Sequence, residues 1–367
     1  MSMDRNRVVI LDADYEGVGD PLREALEYFD LDLSGKNVFI KPNMLSRSSP
    51  ERGVTSHPSI LRELISWTER YTENILVGDN PGATGYGANE KCARATGIKE
   101  VSGKYFKNIG KQTKAVKLKS KFTKALVVSE DILKTDFLIS VPKFKTHLQT
   151  VITGGIKNSY GILVGGEKSR LHILAQSPRS FAEAILDVFQ IRIPDLFVMD
   201  AVVGMEGNGP NGGILRRIGK IMVSNNGVAL DSVMATMMGI PPGSVPCLIE
   251  AYRRGLGEID LRRIEVIGEV PLLQDFKVPV TYTRGLWGTL VNRWVYIPLV
   301  RSRVKVREKN CTRCMECIKG CPTGAMKLDG EFPRVYDKEC INCYCCRELC
   351  LYNAVDIKGT VGFLSRR

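Results

Sequence analysis

Nine of the eleven cysteines in this 367-residue chain fall between Cys311 and Cys350. They read Cys311-x2-Cys314-x2-Cys317-x3-Cys321-Pro322 and then Cys340-x2-Cys343-x2-Cys346-x3-Cys350. Two consecutive runs of this kind have the spacing that wraps two [4Fe–4S] clusters. Three thiolates spaced by two residues reach three corners of one cube, and the fourth turns away to the second cube. The expected ligand sets are therefore Cys311, Cys314, Cys317 and Cys350 for one cluster, and Cys340, Cys343, Cys346 and Cys321 for the other. A pair of zinc sites would use separated Cys-x2-Cys knuckles instead. Disulfides are disfavoured where thiols stay reduced. Leu351 stands where a proline would close the second run, and Cys345 is a ninth cysteine inside it. The register of the first run makes Cys345 a non-ligand packed beside the cluster, with exchange for a ligand as the rival reading. Cys92 and Cys247, far from the others, read as buried small side chains.

A second set of chemically capable residues follows apolar runs earlier in the chain. Lys41 and Asn43 flank Pro42 after NVFIK, and Asp79 follows NILVG. Lys143, Lys145 and His147 follow DFLISV, while Asp200 closes DLFVMD ahead of Glu206 and Asn208. Between them, Gly154-Gly155 precede Lys157-Asn158, and His172 lies further on in Arg170-x-His172. Ligands in open α/β sheets gather at the carboxyl ends of strands, and small residues let a backbone approach them closely. The expected cleft therefore uses Lys143, Lys145, His147, Lys157 and His172 for chemistry. Lys41, Asn43, Asp79, Asn158, Asp200, Glu206 and Asn208 are expected to bind substrate. Gly207 to Gly212 fits G-x-G-x-x-G, but it contains a proline and leads towards a strand rather than a helix. No Walker-type phosphate loop exists, which leaves ATP-driven chemistry without sequence support.

These residues need a scaffold, and the first 300 residues alternate short β-branched runs with helical stretches. Strands are expected at 7–11, 37–41, 74–78, 125–129, 136–141, 195–200, 220–224 and 264–268. Helices are expected at 20–29, 58–70, 179–190, 229–238 and 246–255. That alternation predicts an α/β layered domain with a mostly parallel sheet over residues 1–300. A small α+β ferredoxin-like two-cluster domain is expected over 305–367. The stretch 269–304 breaks the rhythm and reads as a linker region. Its segment GLWGTLVNRWVYIPLV (285–300) is too short to span a bilayer and reads as a helix packed between domains.

Hydrophobic residues make up 44% and charged residues 25%, a balance that excludes a disordered chain. No transmembrane run and no apolar leader are seen, so a cytoplasmic protein is expected. The formal charge is +12; two clusters with their thiolates would lower it to about +8. The excess is local: Lys104, Lys107, Lys111, Lys114, Lys117, Lys119, Lys121 and Lys124 fall in one stretch without an acid. A solvated edge strand would explain it, as would docking of an acidic ferredoxin or flavodoxin. Nucleic acid is the weaker partner, because few aromatics interleave the lysines for base stacking.

The combination VPKFKTH, TGGIKNSYG, GDNPG, MDAVVGMEGNGP and VALDSVMATMMG resembles the domain-of-unknown-function 362 family. The resemblance covers nearly the whole chain. It implies a cytoplasmic iron–sulfur protein of mostly anaerobic microbes, in a family whose members often carry a C-terminal two-cluster ferredoxin domain. It supplies no substrate and no catalytic residues. The function expected from residues and resemblance is an iron–sulfur oxidoreductase. A ferredoxin-dependent reductase would pass electrons through two [4Fe–4S] clusters to a small anionic or conjugated organic molecule in the cleft. A non-catalytic electron-transfer or assembly protein and an RNA-binding or RNA-modifying protein are the alternatives. Whether the cleft takes a further cofactor is left open by the residues.

Overall fold

The computed structural model describes residues 6–82, 88–282 and 303–358. The segment 285–300, expected as a packed helix, lies outside the described residues. A nine-stranded sheet is built from β1 (Arg7–Asp12), β2 (Val38–Pro42), β3 (Ile75–Val77), β6 (Phe137–Val141), β7 (Lys143–His147), β8 (Val151–Ile152), β9 (Leu196–Glu206), β10 (Ile214–Ser224) and β11 (Glu265–Ile267). Its path runs β11-β1-β10-β9-β6-β2-β3, with β7 also paired to β9 and β8 to β7. The pairs β1–β11, β2–β3, β2–β6, β6–β9 and β7–β9 are parallel. Antiparallel β10 separates β1 from β9.

Alternation along each strand feeds two cores, one on each face. Val8, Ile10, Phe39, Leu138, Phe197 and Met222 enter one, with α8 (Pro178–Phe189) and α9 (Gly227–Met237). Val9, Val38, Ile40, Ile139, Val198 and Ile221 enter the other, under α1 (Gly19–Glu27) and α2 (Pro58–Glu69). The helices start where their sequences direct. Ser177 and Ser180 form a capping box, and Asn226 accepts from the Val228 and Ala229 amides.

The expected strands and helices form, but three assignments change. Beyond the strand expected at 136–141, the chain continues past Pro142 as a further strand, β7, because it pairs in parallel with β9. Strand β9 runs through Asp200 to Glu206 rather than stopping at Asp200, since β10 folds back and pairs with its whole length. Residues 125–129 form β5 (Ala125–Ser129) outside the main sheet, paired with β4 (Thr113–Lys117). This hairpin exposes Lys114, Lys117, Lys119, Lys121 and Lys124.

The cysteine-rich segment is an internal repeat. Strands β12 (Arg303–Val306) and β15 (Val355–Lys358) pair, as do β13 (Met326–Asp329) and β14 (Phe332–Val335). Each cysteine run leads into a short helix, α11 (Glu316–Lys319) or α12 (Cys345–Leu349). Val304, Tyr344, Val355 and Ile357 form a third core, into which the α/β unit inserts Leu148. Asn211 Nδ2 donates to the Glu348 carbonyl at 2.9 Å, and Arg347 Nη2 donates to the Gly212 carbonyl at 2.8 Å. The two units are thereby held face to face.

Candidate functional site

Where the units meet, they enclose a cavity of about 90 Å³. The carboxyl ends of β2 and β3 supply Asn43 and Asp79, and β7 supplies Lys145 and His147. Short α6 (Gly154–Asn158) presents Lys157 and Asn158, and α7 (Glu167–Leu174) presents Lys168 and His172. The cysteine-rich unit closes the opposite wall with Gly320, Cys345, Glu348 and Leu349.

Beneath the cavity lies a buried polar frame. Lys41 Nζ pairs with Asp79 Oδ1 at 2.7 Å, both side chains being almost wholly enclosed. The other Asp79 oxygen accepts from the Met44 amide. Asn158 donates to Ser140 Oγ and accepts from Asn43 Nδ2. Asn43 Oδ1 in turn accepts from Lys145 Nζ at 2.7 Å. Gly161 is required here, because a Cβ at its position would lie 2.0 Å from Asp79 Oδ1 and 2.5 Å from Lys41 Nζ. Asp231 anchors α6 by accepting from the Gly155 and Ile156 amides at 2.6 and 3.0 Å. Burial raises its carboxyl to about 7, against the pull of those two bonds.

The cavity gathers three lysines, Lys145, Lys157 and Lys168, with the carboxylates of Asp79 and Glu348 also on its lining. Burial pushes the Lys145 ammonium down to about 7, aided by Lys143, and burial also pushes Lys168 down to about 8. Lys145 donates to Asn43 and the Val54 carbonyl, and Lys168 to the Asn80 and Pro81 carbonyls. Lys157 Nζ sits 4.8 Å from the Tyr160 ring centroid and 5.7 Å from that of Phe181. Among the described residues, none of these three lysines has a carboxylate within ion-pair distance.

The histidines differ from one another. His147 Nδ1 accepts from the Gln149 and Thr150 amides, so the ring proton sits on Nε2, 3.1 Å from Glu348 Oε1. Burial keeps this imidazole below its ordinary value despite the carboxylate. Burial alone would raise Glu348, but His147 and Lys157 bring it down to about 2, so it is ionised. His172 is held neutral by burial, which lowers it to about 3, and its Nδ1 has no partner.

Several expected residues lie elsewhere. Lys143 does not line the cavity: it faces Asp200 across the β7–β9 pair, with Nζ 2.6 Å from Oδ2. Tyr15 hydroxyl joins that pair, and His57 stacks on the Tyr15 ring. The register between β7 and β9 shifts after Lys143, which sends Lys145 and Lys143 to different surroundings. Glu206 pairs with Arg216, and Asn208 accepts from the Val280 amide. Lys41 lies under the cavity floor rather than on it. Lys168, Glu348 and Cys345 are wall residues that the sequence reading did not assign to the cleft. Lys168 stands one helical turn before His172, a spacing that places both on one face. Arg170 turns away to Glu167 and the Ala125 carbonyl.

The remaining cysteines surround two further cavities of about 20 Å³ each. Cys311, Cys314, Cys317 and Cys350 line one, and Cys321, Cys340, Cys343 and Cys346 line the other. Arg313 and Met315 in the first run, and Asn342 and Tyr344 at the matching positions of the second, have left-handed backbone. Both loops are thus bent in the same way around their thiols. Burial, then Cys350, Cys314 and Cys311, pushes the Cys317 thiol up to about 12. Burial and its neighbouring cysteines likewise raise Cys346. Four crowded thiols would need a cationic centre to be held as thiolates, and the donor set is of the kind that iron–sulfur clusters use. Among the described residues, no three Cys, His or carboxylate groups converge as a single-ion site would demand. Cys92 and Cys247 are buried apart, their thiols raised by burial to about 11 and 12.

Fold and site thus define an α/β protein whose lysine-rich cavity is capped by a duplicated cysteine-rich unit. The chain belongs to the family described as domain of unknown function (DUF362), whose model matches residues 38–236. That match includes every cavity residue of the α/β unit and none of the cysteine runs. A thylakoid-associated protein of Synechocystis sp. is 26% identical over 264 residues, which cover 71% of this chain and 76% of that protein. The lactate racemase apoprotein from Thermoanaerobacterium thermosaccharolyticum aligns with a TM-score of 0.37 and 12% identity, over 56% of this chain and 52% of that one. The chain therefore spans about half the length of that structure. Among the described residues, no helix is long and apolar enough to cross a membrane.

Proposed function

We propose that this chain is an iron–sulfur oxidoreductase acting on a small anionic organic molecule held in the cavity between its two units. The observation that carries this reading is the shared wall: Cys345, adjacent to Cys346, faces the same cavity as Lys145, Lys157 and Lys168. In this reading Cys311, Cys314, Cys317 and Cys350 hold one [4Fe–4S] cluster, and Cys321, Cys340, Cys343 and Cys346 hold the other. The clusters, when bound, supply single electrons at low potential. Four thiols around each space are the kind of donor set that such clusters use.

The chain's own residues bind and orient. Lys157, beside the Tyr160 and Phe181 rings, takes the anionic group, and Lys145 and Lys168 add to the positive field. Leu45, Tyr160 and Leu349 pack the apolar part. His172 Nδ1 is free to hydrogen-bond the bound molecule, while Glu348 holds His147 in one tautomer. The exposed lysines of the β4–β5 hairpin supply a docking surface for an acidic ferredoxin or flavodoxin.

Anaerobically purified protein should contain about eight iron and eight sulfide per chain. Cys321→Ala should damage the cluster of the Cys340 run. Lys157→Met should abolish turnover while dithionite still reduces both clusters. Recovery of zinc alone, or full activity in K157M, would overturn the reading.

A further inference from the structure

Cys345 breaks the repeat. The first cysteine run has Glu316 at the corresponding position, and Cys345 is absent from both four-cysteine cavities. It instead lines the larger cavity, which Lys157 and Glu348 also line.

Other features show that this wall is built to meet a ligand. His172, 5% exposed, has an unpartnered Nδ1 and lines the same cavity. Thr153, 4% exposed, likewise has an unpartnered Oγ1 there. Orphaned polar atoms in so enclosed a place cost free energy that a hydrogen-bonding occupant recovers. Three lysines face two lining carboxylates, of which Asp79 is already paired with Lys41 and Glu348 is set against His147, so the balance favours negative charge in that occupant. The cavity volume of about 90 Å³ restricts the occupant to a small molecule.

We infer that Cys345 is a substrate-contacting thiol, and that the cavity takes a small carboxylate whose carboxyl group rests on Lys157 and whose adjoining carbon lies against Cys345 Sγ. This rests on the proposed cavity but not on the clusters. Among the described residues, Cys345 is the one thiol on the cavity lining, and it is adjacent in sequence to the proposed ligand Cys346.

Paired alkylation tests it. Iodoacetate and iodoacetamide carry the same reactive carbon, but only the first is a carboxylate. With either, a bond from Cys345 Sγ to carbon forms, the carbon–iodine bond breaks, iodide leaves and the thiol proton goes to solvent. Both reagents meet the same thiol at the same pH, so its ionisation cancels from their ratio. Full-length, anaerobically purified protein would be treated with each, and labelling at every cysteine read by peptide mass spectrometry. Relative to a surface-exposed cysteine introduced by Ser34→Cys, iodoacetate should be favoured at Cys345 by tenfold or so, typical of a modest binding preference. Lys157→Gln should remove the preference, and Cys345→Ser should remove the label while iron content stays unchanged. An unchanged reagent ratio, absence of label at Cys345, or a preference surviving in K157Q would overturn the inference. Failure of the iron–sulfur reading looks different: no iron, with the eight run cysteines labelled alongside Cys345 by either reagent.

Discussion

His147 Nε2 lies 3.1 Å from Glu348 Oε1, and this contact joins the end of a sheet strand to the helix that begins with Cys345. Both groups are buried, and the imidazole is oriented from behind by two backbone amides. The contact therefore fixes how far the cysteine-rich wall stands from the lysines.

Glu348→Ala should cost about 1–3 kcal/mol, the usual range for leaving a buried polar group, here His147 Nε2, without its polar neighbour. Glu348→Gln, which can still accept from Nε2, should cost less than half of that. Urea unfolding of the two variants checks this, and equal losses would show that the pair contributes through packing alone.

Gly161→Ala should disrupt the floor of the cavity, because its Cβ would collide with Asp79 and Lys41. Parting this buried ion pair should cost about 3–5 kcal/mol. Gly166→Ala, where a Cβ meets nothing within 4 Å, should stay within about 0.5 kcal/mol of wild type. Thermal unfolding of both would decide, and similar melting would contradict the tight approach.

Lys145 should make stability rise with pH. Its ammonium is down to about 7 in the folded chain, against about 10.4 when unfolded. Between those values the unfolded chain holds a proton that the folded chain has released. Unfolding free energy should therefore climb from about pH 7 to about pH 10, by up to about 1.4 kcal/mol per unit. Below pH 7 both states are protonated and the folded chain carries the full burial cost. Lys168, down to about 8, adds a smaller rise. Lys145→Met should flatten the slope without abolishing it; chemical denaturation across that window at constant salt would reveal an unchanged slope if Lys145 were not responsible.

Replacing Lys114, Lys117, Lys119 and Lys124 with glutamate should leave unfolding within about 0.5 kcal/mol per site. Lys121 and Lys107 are spared because they pair with Glu183 and Asp131. Electron uptake from an acidic ferredoxin should slow several-fold at low salt, and salt should slow the wild type likewise. Stopped-flow rates indifferent to both changes would reduce the hairpin to a solvated edge.

Spacing and periodicity made much of this protein legible in one dimension. Cysteines three and four residues apart are constrained by the reach of the chain, so a grouping by fours was expected from the sequence, and the thiols line two cavities in those same groups. Alternating β-branched runs require two covered faces, and the sheet buries successive residues in opposite cores. Nothing local distinguishes Lys143 from Lys145: each follows the same apolar run on the same side of a strand. A register shift against β9 gives the first to Asp200 and the second to the cavity. Lys168 lies far along the chain from Cys345 and Glu348, and the three carry no shared motif. Only the docking of the cysteine-rich unit through Asn211 and Arg347 brings them to one wall, because contacts between distant segments depend on packing that no short spacing encodes.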